Sequence, residues 1–435
     1  MQSEQLRFKD FLYFTIIPIA ALSAIAAAVI HINSRDIDPP DLSDLALPIY
    51  EPIPDEENAL TYFIKARDAR VFPEIDGKIQ STTTDCLREN PDDTNLIARV
   101  VAENEAVFEY LRQGAECRRF YVPVSTNAND KLPDLSGFMS VSGFMSVSDL
   151  MNAVGLLPFK IKHELSQGDI DAAIDDTLTL LRCGQLLRRE PVTLAIFHIG
   201  YDIEANGLDE ASRLARDPRV SIRQLKRLAE FVNNIPPYDD DMSTAIKANF
   251  KYYKRILENA NGDANALLFR WDGFRFQKIL VFRNAFHPNR TLLDMADHDR
   301  SLIAEIKKPY SEINHHDESD DNQPGTFNLI FGKNTVGKCW AVEVRYNCAN
   351  AFFLMCNDRE FEVAKLKTTI ACHIFKRETG REPLTLDELV PAYLPAVPLD
   401  PYDGTPLRYN PADGTIQSVG KDEPITFKIW EEEKE

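Results

Sequence analysis

The sequence predicts a mainly α-helical protein with an N-terminal transmembrane helix, an α-helical hairpin array, and a small C-terminal α+β head made of a long helix and a β-meander. Three observations predict it. No Asp, Glu, Lys or Arg occurs from Phe11 to Ser34. Apolar residues recur three and four apart through the middle, the period of a half-buried helix. Residues 397–422 are punctuated by Asp-Pro, two Asp-Gly pairs and Val-Gly, the vocabulary of tight turns. At 435 residues the chain exceeds what one hydrophobic core usually serves, so more than one module is expected. With 44% hydrophobic and 27% charged residues the balance is globular. A net charge of −19 with no basic stripe argues against nucleic acid, and against tight contact of the soluble part with anionic lipid.

The first element is the run Phe11 to Ile32, FLYFTIIPIAALSAIAAAVIHI. At about 1.5 Å per residue it reaches roughly 33 Å, enough to cross a hydrocarbon core. The alternative is a cleaved signal peptide, for which Ala24-Ile25-Ala26 offers a small-residue cleavage pattern, but such segments have shorter apolar cores. Arg7 and Lys9 precede the run and Arg35 follows it, which places the N-terminus in the cytoplasm. The expected localisation is the inner (cytoplasmic) membrane, single-pass, with the bulk of the chain extracytoplasmic. The expected organisation is a cytoplasmic tail at 1–10, the anchor at 11–32, a Pro-rich stalk at 33–54, an α-helical body at 55–335, and a long helix with its head at 336–435. The stalk carries five prolines, which fix φ and remove donors.

Within the body, Leu96, Val100, Val107 and Leu111 share a helical face that Gly114 is expected to end. Residues 136–147 hold SGFMSV twice in tandem, read as a local duplication in a loop. Leu150, Val154, Leu157, Ile161 and Leu165 then mark one helix closed by Gly168, and Ile170, Ile174, Leu178 and Leu181 mark the next. A third opens near Pro191, and Ser221 with Gln224 forms a capping-box pattern. Short connections make these antiparallel helical hairpins, an architecture used for scaffolds more often than for catalysis. The seven cysteines are odd in number and include no Cys-x-x-Cys. Cys86 and Cys117 flank one predicted helix and would pair in an oxidising compartment, whereas Cys348, Cys356 and Cys372 read as small buried side chains.

Three stretches raise chemistry and fall short of it. Gly332 through Gly337-Lys338 has P-loop spacing, but Cys339 replaces the hydroxyl that holds magnesium and no βαβ series follows, so no nucleotide is expected. Asn314 to Asn322 bunches two His with Asp and Glu, and reads as a solvated loop rather than a cation site. His298 sits between Asp297 and Asp299, without the further His and Asp that metal-dependent phosphohydrolases need.

The tail is more specific. From Trp340 a long helix is predicted to run to a C-cap at Gly380, followed by a short helix with Thr385 and Glu388 as its capping box, two turn-linked strands, and ITFKIW at the sheet edge. Gly380, Pro383, Leu386, Leu389, Asp400, Pro401, Tyr402, Gly404, Pro406, Tyr409, Ser418, Gly420 and Asp422 occur in an order and spacing that resemble the C-terminal head of the major pseudopilin of type II secretion systems. The whole chain resembles large membrane-anchored bacterial proteins with helical middles that carry such a tail. The resemblance implies envelope or secretion-system partners, and a calcium site to which Ser418 and Asp422 would contribute. Two departures stand out: the processing site and adjacent hydrophobic helix of a pseudopilin are missing ahead of the head, and Glu423-Pro424 replaces the continuation that supplies a further acidic ligand.

The expected function is a non-catalytic, membrane-anchored extracytoplasmic scaffold or interaction protein related to type II secretion or pilus-like machinery. The alternative is an extracytoplasmic metal-dependent hydrolase using the acidic and His residues around 297–321.

Overall fold

A computed structural model of the chain describes residues 15–33, 35–48, 51–72, 74–75, 78–79, 87, 93–122, 140–141, 145–190, 193–260, 286–306, 308–313, 333–338, 349–421 and 423–430. It is mainly helical, with a small three-stranded antiparallel sheet at the C-terminus. The chain divides into two compact units. The first is Met1–Ala46, Phe250–Leu302 and His315–Ala349; the second is Leu47–Asn249, Ile303–Asn314 and Asn350–Glu435.

In the first unit, α1 (Ile17–Asn33) occupies most of the predicted anchor, whose first residues, 11–14, lie outside the described ones. Among the described residues no helix is long and apolar enough to cross a membrane; α1 itself has 17 residues. Residues 36–45, expected as an extended stalk, lie instead along the helix Pro288–Glu305. Asp36 accepts hydrogen bonds from the backbone N–H groups of Asn289 and Arg290, at 2.8 and 3.1 Å, and so satisfies donors that a helix start leaves open. Arg300 on the same helix pairs with Asp44 at 2.7 Å.

The second unit holds the helical body: α2 (Ala59–Asp68), α3 (Thr94–Glu103), α4 (Glu105–Glu116), α5 (Val147–Val154), α6 (Leu157–Gln167), α7 (Ile170–Arg189), α8 (Leu194–Arg216) and α9 (Ile222–Asn233). α10 (Asp239–Ala260) begins in it, and α11 (Pro288–Glu305) ends in it. The expected helix boundaries hold where a local signal sets them. Gly168 closes α6 in the left-handed region at φ 80°, and Ser221 and Gln224 form both bonds of the capping box on α9. They fail where another constraint outweighs the apolar pattern. The run read as one helix from Leu150 to Leu165 breaks at Gly155-Leu156, because Pro158 in the first turn of α6 has no N–H to give the preceding turn. Thr193, not Pro191, caps α8. Gly114 does not end its helix; it lies inside α4, where a Cβ would stand 2.8 Å from the Phe63 ring of α2. β1 (Glu74–Ile75) pairs with β2 (Lys78–Ile79), and the tandem repeat forms a second two-stranded ladder of β3 (Ser140–Val141) and β4 (Met145–Ser146), Ser140 facing Ser146 and Val141 facing Met145.

α12 (Ala349–Thr379) ends at Gly380, φ 78°, as its C-cap glycine predicts. Its Val363, Leu366, Ile370 and Ile374 belong to the same hydrophobic core as α2 to α9. The capping box expected at Thr385 does not form: Leu386–Leu389 is a single 3-10 turn, and the Glu388 carboxylate accepts from Leu384 N–H and pairs with Arg381 instead. The sheet then runs β5 (Arg408–Asn410), β6 (Thr415–Ser418) and β7 (Ile425–Lys428), with β6 in the centre. Ile416 of β6 is fully buried and pairs with Tyr409 and Phe427. Tyr402 packs toward the start of α12, edge-on to Phe361 at 6.5 Å and to Tyr310 at 5.8 Å, its hydroxyl on Asp358.

Candidate functional site

The densest polar chemistry among the described residues lies where α7 and α8 cross. Gly184 and Gly200 face each other there: a Cβ on either would come within 2.8 Å of the other's carbonyl oxygen. That close approach brings Arg188 of α7 against Glu204 of α8, Nε to Oε2 3.0 Å, and Arg359 of α12 completes the group. Arg359 grips the same carboxylate with two nitrogens, Nη2 to Oε1 at 2.9 Å and Nε to Oε2 at 3.1 Å. It also reaches the Pro236 carbonyl and Glu360. Asp241 of α10 balances Arg188 at 2.6 Å, and Gln185 donates to Glu204 at 3.3 Å. Burial alone would push the Glu204 carboxyl up, but Arg359 and Arg188 outweigh it and hold the group below the ordinary range. Arg188, Glu204 and Arg359 are 1%, 0% and 2% exposed, so no substrate reaches them. This is a structural clasp joining four helices, not a reaction centre.

A second polar cluster lies between α4, α6 and α7. Lys160 contacts Glu164 at 3.0 Å, Asp176 at 3.5 Å and Glu105 at 3.8 Å, while Arg112 holds Asp176 at 3.2 Å. Burial first, and then the Asp176 charge, raise the Glu164 carboxyl to about 7; Lys160 opposes both.

The residues that carried the family resemblance meet in the head. Asp400, fully buried, accepts from Tyr402 N–H at 3.0 Å, from the Ser418 hydroxyl at 2.9 Å, from Val419 N–H at 2.9 Å and from Arg408 at 3.2 Å. Those four bonds use the lone pairs of the carboxylate. Ser418 in turn accepts from Gly420 N–H at 3.0 Å. Asp422, the other expected calcium ligand, lies outside the described residues. The Ser418 hydroxyl is turned onto Asp400 and both Asp400 oxygens are occupied, so the calcium expected here would have to take its ligands from Asp422 and backbone carbonyls. They form a loop clasp that ties the Asp-Pro turn to the end of β6.

Of the other sequence candidates, few lie among the described residues. His298 is half-buried on α11, and its neighbour Asp297 pairs with Arg300 at 3.0 Å. The cluster from Asn314 to Asn322, and Gly332, Cys339, Cys86 and Cys348, lie outside the described residues. Of the P-loop look-alike, residues 333–338 form a turn into one helical turn. Asn334 adopts φ 57°, accepts from His287 N–H at 2.8 Å, and its carbonyl takes the Lys338 N–H. A Cβ on Gly337 would lie 2.1 Å from the Thr291 hydroxyl, so this glycine serves packing on α11. Among the described residues no group of three or more His, Cys, Asp or Glu is arranged to hold a metal ion. Cys356 and Cys372 are buried, as their places on an apolar helix implied, and burial pushes the Cys372 thiol up to about 12. Cys117 is a free thiol. No protein-family model, no curated protein and no solved structure matches the chain.

Three outcomes are expected. Glu204→Gln leaves two buried arginines short of their shared anion and should cost about 3 kcal/mol, seen as a lower urea midpoint. An unchanged midpoint would mean that Asp241 and Glu360 suffice. For Glu164, the folded group at about 7 lies above its ordinary 4.5, so its contribution is complete below the latter and is lost as pH rises through the former. Glu164→Gln should therefore be more stable than the parent at about pH 8, with the gap closing toward acid; equal stability at both ends would sink the assignment. Ser418→Ala should lower the melting temperature, by the equivalent of about 1–3 kcal/mol, because Asp400 loses a donor while buried. A calcium-induced rise in the parent's melting temperature that vanishes in Ser418→Ala would give that serine a ligand role as well.

Proposed function

We propose that the chain is a non-catalytic, membrane-anchored extracytoplasmic scaffold or interaction protein, related through its tail to type II secretion or pilus-like machinery. The observation that carries this reading is α1. Its described side chains carry no Asp, Glu, Lys or Arg, and Ile17, Ile19, Leu22 and Ile25 are 47–66% exposed. A helix without charge that exposes such side chains is best accommodated in a non-aqueous surrounding, because water penalises each of them. The uncharged run continues upstream to Phe11 in the sequence, which gives the length that a bilayer requires.

The body supports the scaffold part of the reading. Its buried acids are spent on neighbouring arginines and lysines rather than converging on a solvent-reached cavity, so the charge holds helices together. The tail supports the relation to pseudopilins. The positions that match that family, Asp400, Tyr402, Gly404, Ser418 and Gly420, are those under physical constraint here: a saturated carboxylate, a buried ring, a buried hydroxyl and two glycines at φ 72° and 63°.

Protease added to spheroplasts should digest the body and leave a membrane-embedded N-terminal fragment. Full protection would place the body in the cytoplasm and overturn the topology. Affinity capture from solubilised envelopes should recover secretion or envelope components; a metal-dependent hydrolase activity lost in His298→Ala would replace the scaffold reading with the enzymatic one.

A further inference from the structure

The link between α1 and the rest of its unit is short and tied down. α1 ends at Asn33, and Asp36 already accepts from the backbone N–H groups of Asn289 and Arg290, at 2.8 and 3.1 Å. The Asn289 amide donates in return to the Ile37 carbonyl at 2.8 Å. Further along, Arg300 holds both Asp44 and the Asp41 carbonyl, at 2.7 and 2.9 Å. Residues 36–44 are thus a strap fixed to α11 at two points, roughly 15 Å apart along the helix. Only Ser34 and Arg35 separate α1 from the strap. The three residue steps from Asn33 to Asp36 span at most about 11 Å, so the start of α11 stays within that reach of the end of α1, plus one Asp side chain. Most of α1 is exposed, so α11 does not run back along it.

This geometry has a direct meaning once α1 sits in a bilayer, the reading proposed above, on which the inference rests. The headgroup layer is roughly 5–8 Å thick on each face. The uncharged run ends at Ser34, which puts Arg35 at headgroup level and the first turn of α11 in the headgroups or immediately above them. Arg35 and Arg290 are exposed there, and an arginine beside a span end extends its guanidinium to the interface. Residues 267–286, ahead of α11, lie outside those described apart from Phe286; in sequence they hold Arg270, Arg275, Lys278 and Arg283 against Asp272, with Trp271 and five phenylalanines. Aromatic and basic residues together are the composition of segments that favour a membrane interface. The net charge of −19 opposes lipid contact for the chain as a whole, so the contact is local.

We infer that the first turn of α11 is a membrane-facing surface, held against phospholipid headgroups by the strap through Asp36, with Arg35 and Arg290 as its lipid contacts. The segment after α1 is then a short brace, not a stalk that lets this unit swing free of the bilayer.

The test places p-benzoylphenylalanine in the full-length protein at one position at a time, in place of Leu22 or of Arg290. The protein is reconstituted into vesicles of equal parts phosphatidylcholine and phosphatidylglycerol and illuminated, and lipid adducts are read by mass spectrometry. Adducts are expected at both positions. Asp36→Lys should reduce the adduct at position 290 about tenfold, for two lost charge-assisted hydrogen bonds, and leave that at position 22 unchanged. Asp44→Lys breaks only the far end of the strap and should leave both adducts in place. An adduct at position 22 with none at 290 overturns the inference and leaves the anchor standing. No adduct at either position removes the anchor reading and the inference with it. Survival of the 290 adduct in Asp36→Lys, or equal loss in the two charge-reversed variants, overturns the strap as its cause.

Discussion

One carboxylate organises the body of this protein. Glu204 sits at the crossing of α7 and α8, and its two arginines come from different helices, Arg188 from α7 and Arg359 from α12. In a low-dielectric interior an unpaired charge is costly, so any arrangement that separates α8 from α7 or from α12 is penalised by the same group. The crossing itself depends on absent side chains. With Gly184 against Gly200, the two backbones approach closely enough for Arg188 to reach Glu204, and Gly207 lets Leu181 settle against α8 further along. Steric permission and electrostatic specificity thus act at the same place. Hydrophobic burial makes the helices associate, while the ion cluster selects their register.

The head is fixed by the same logic at smaller scale. Asp400 gathers two backbone N–H groups, a hydroxyl and a guanidinium, so its turn is specified by hydrogen-bond direction rather than by apolar area. Contacts then bind the head to helices on several sides. Tyr402 bridges Tyr310, Phe361 and Asp358, and Ser311 N–H reaches the Tyr402 carbonyl at 2.9 Å. His373 of α12 meets Trp430 edge-on at 4.8 Å, burial drawing its imidazole down to about 4, and Ile429 N–H bonds to the Gly414 carbonyl. α12 thus carries Val363, Leu366, Ile370 and Ile374 into the core of the helical body while its Asp358 and His373 hold the head, all within one compact unit.

Much of this was legible in the sequence, and the boundary between legible and not is physical. Gly168, Gly380 and the Ser221–Gln224 box act through bonds a few residues long, so local pattern suffices to read them. The Asp-Gly turns likewise announced the sheet and its central strand. Gly114 looked like a stop because glycine usually is one, and only the Phe63 ring shows why it sits inside a helix. Arg188, Glu204 and Arg359 were missed because each is an ordinary charged residue in its own helix. The one signal was position: Arg188 and Glu204 fall among residues that an apolar stripe would occupy. Asp400 was read as a turn residue, whereas its buried carboxylate is the hub of the head. The strap after α1 carried no sequence signal, since Asp36 and Asp44 read as ordinary stalk acids until α11 shows what they hold.

The separation along the chain between Glu204 and Arg359 has a consequence for how the protein is made. These residues are 155 positions apart, and closing a loop of that length costs on the order of 4 kcal/mol in chain entropy. Synthesis runs from the N-terminus, so α7 and α8 emerge with Glu204 balanced by Arg188 alone, well before α12 exists. The nascent hairpin must hold an acid that still lacks its two-nitrogen arginine grip until the last quarter of the chain arrives. α12 then acts as a bolt that slides home last, and a chain truncated before it would retain its helices while lacking the group that tells them how to sit.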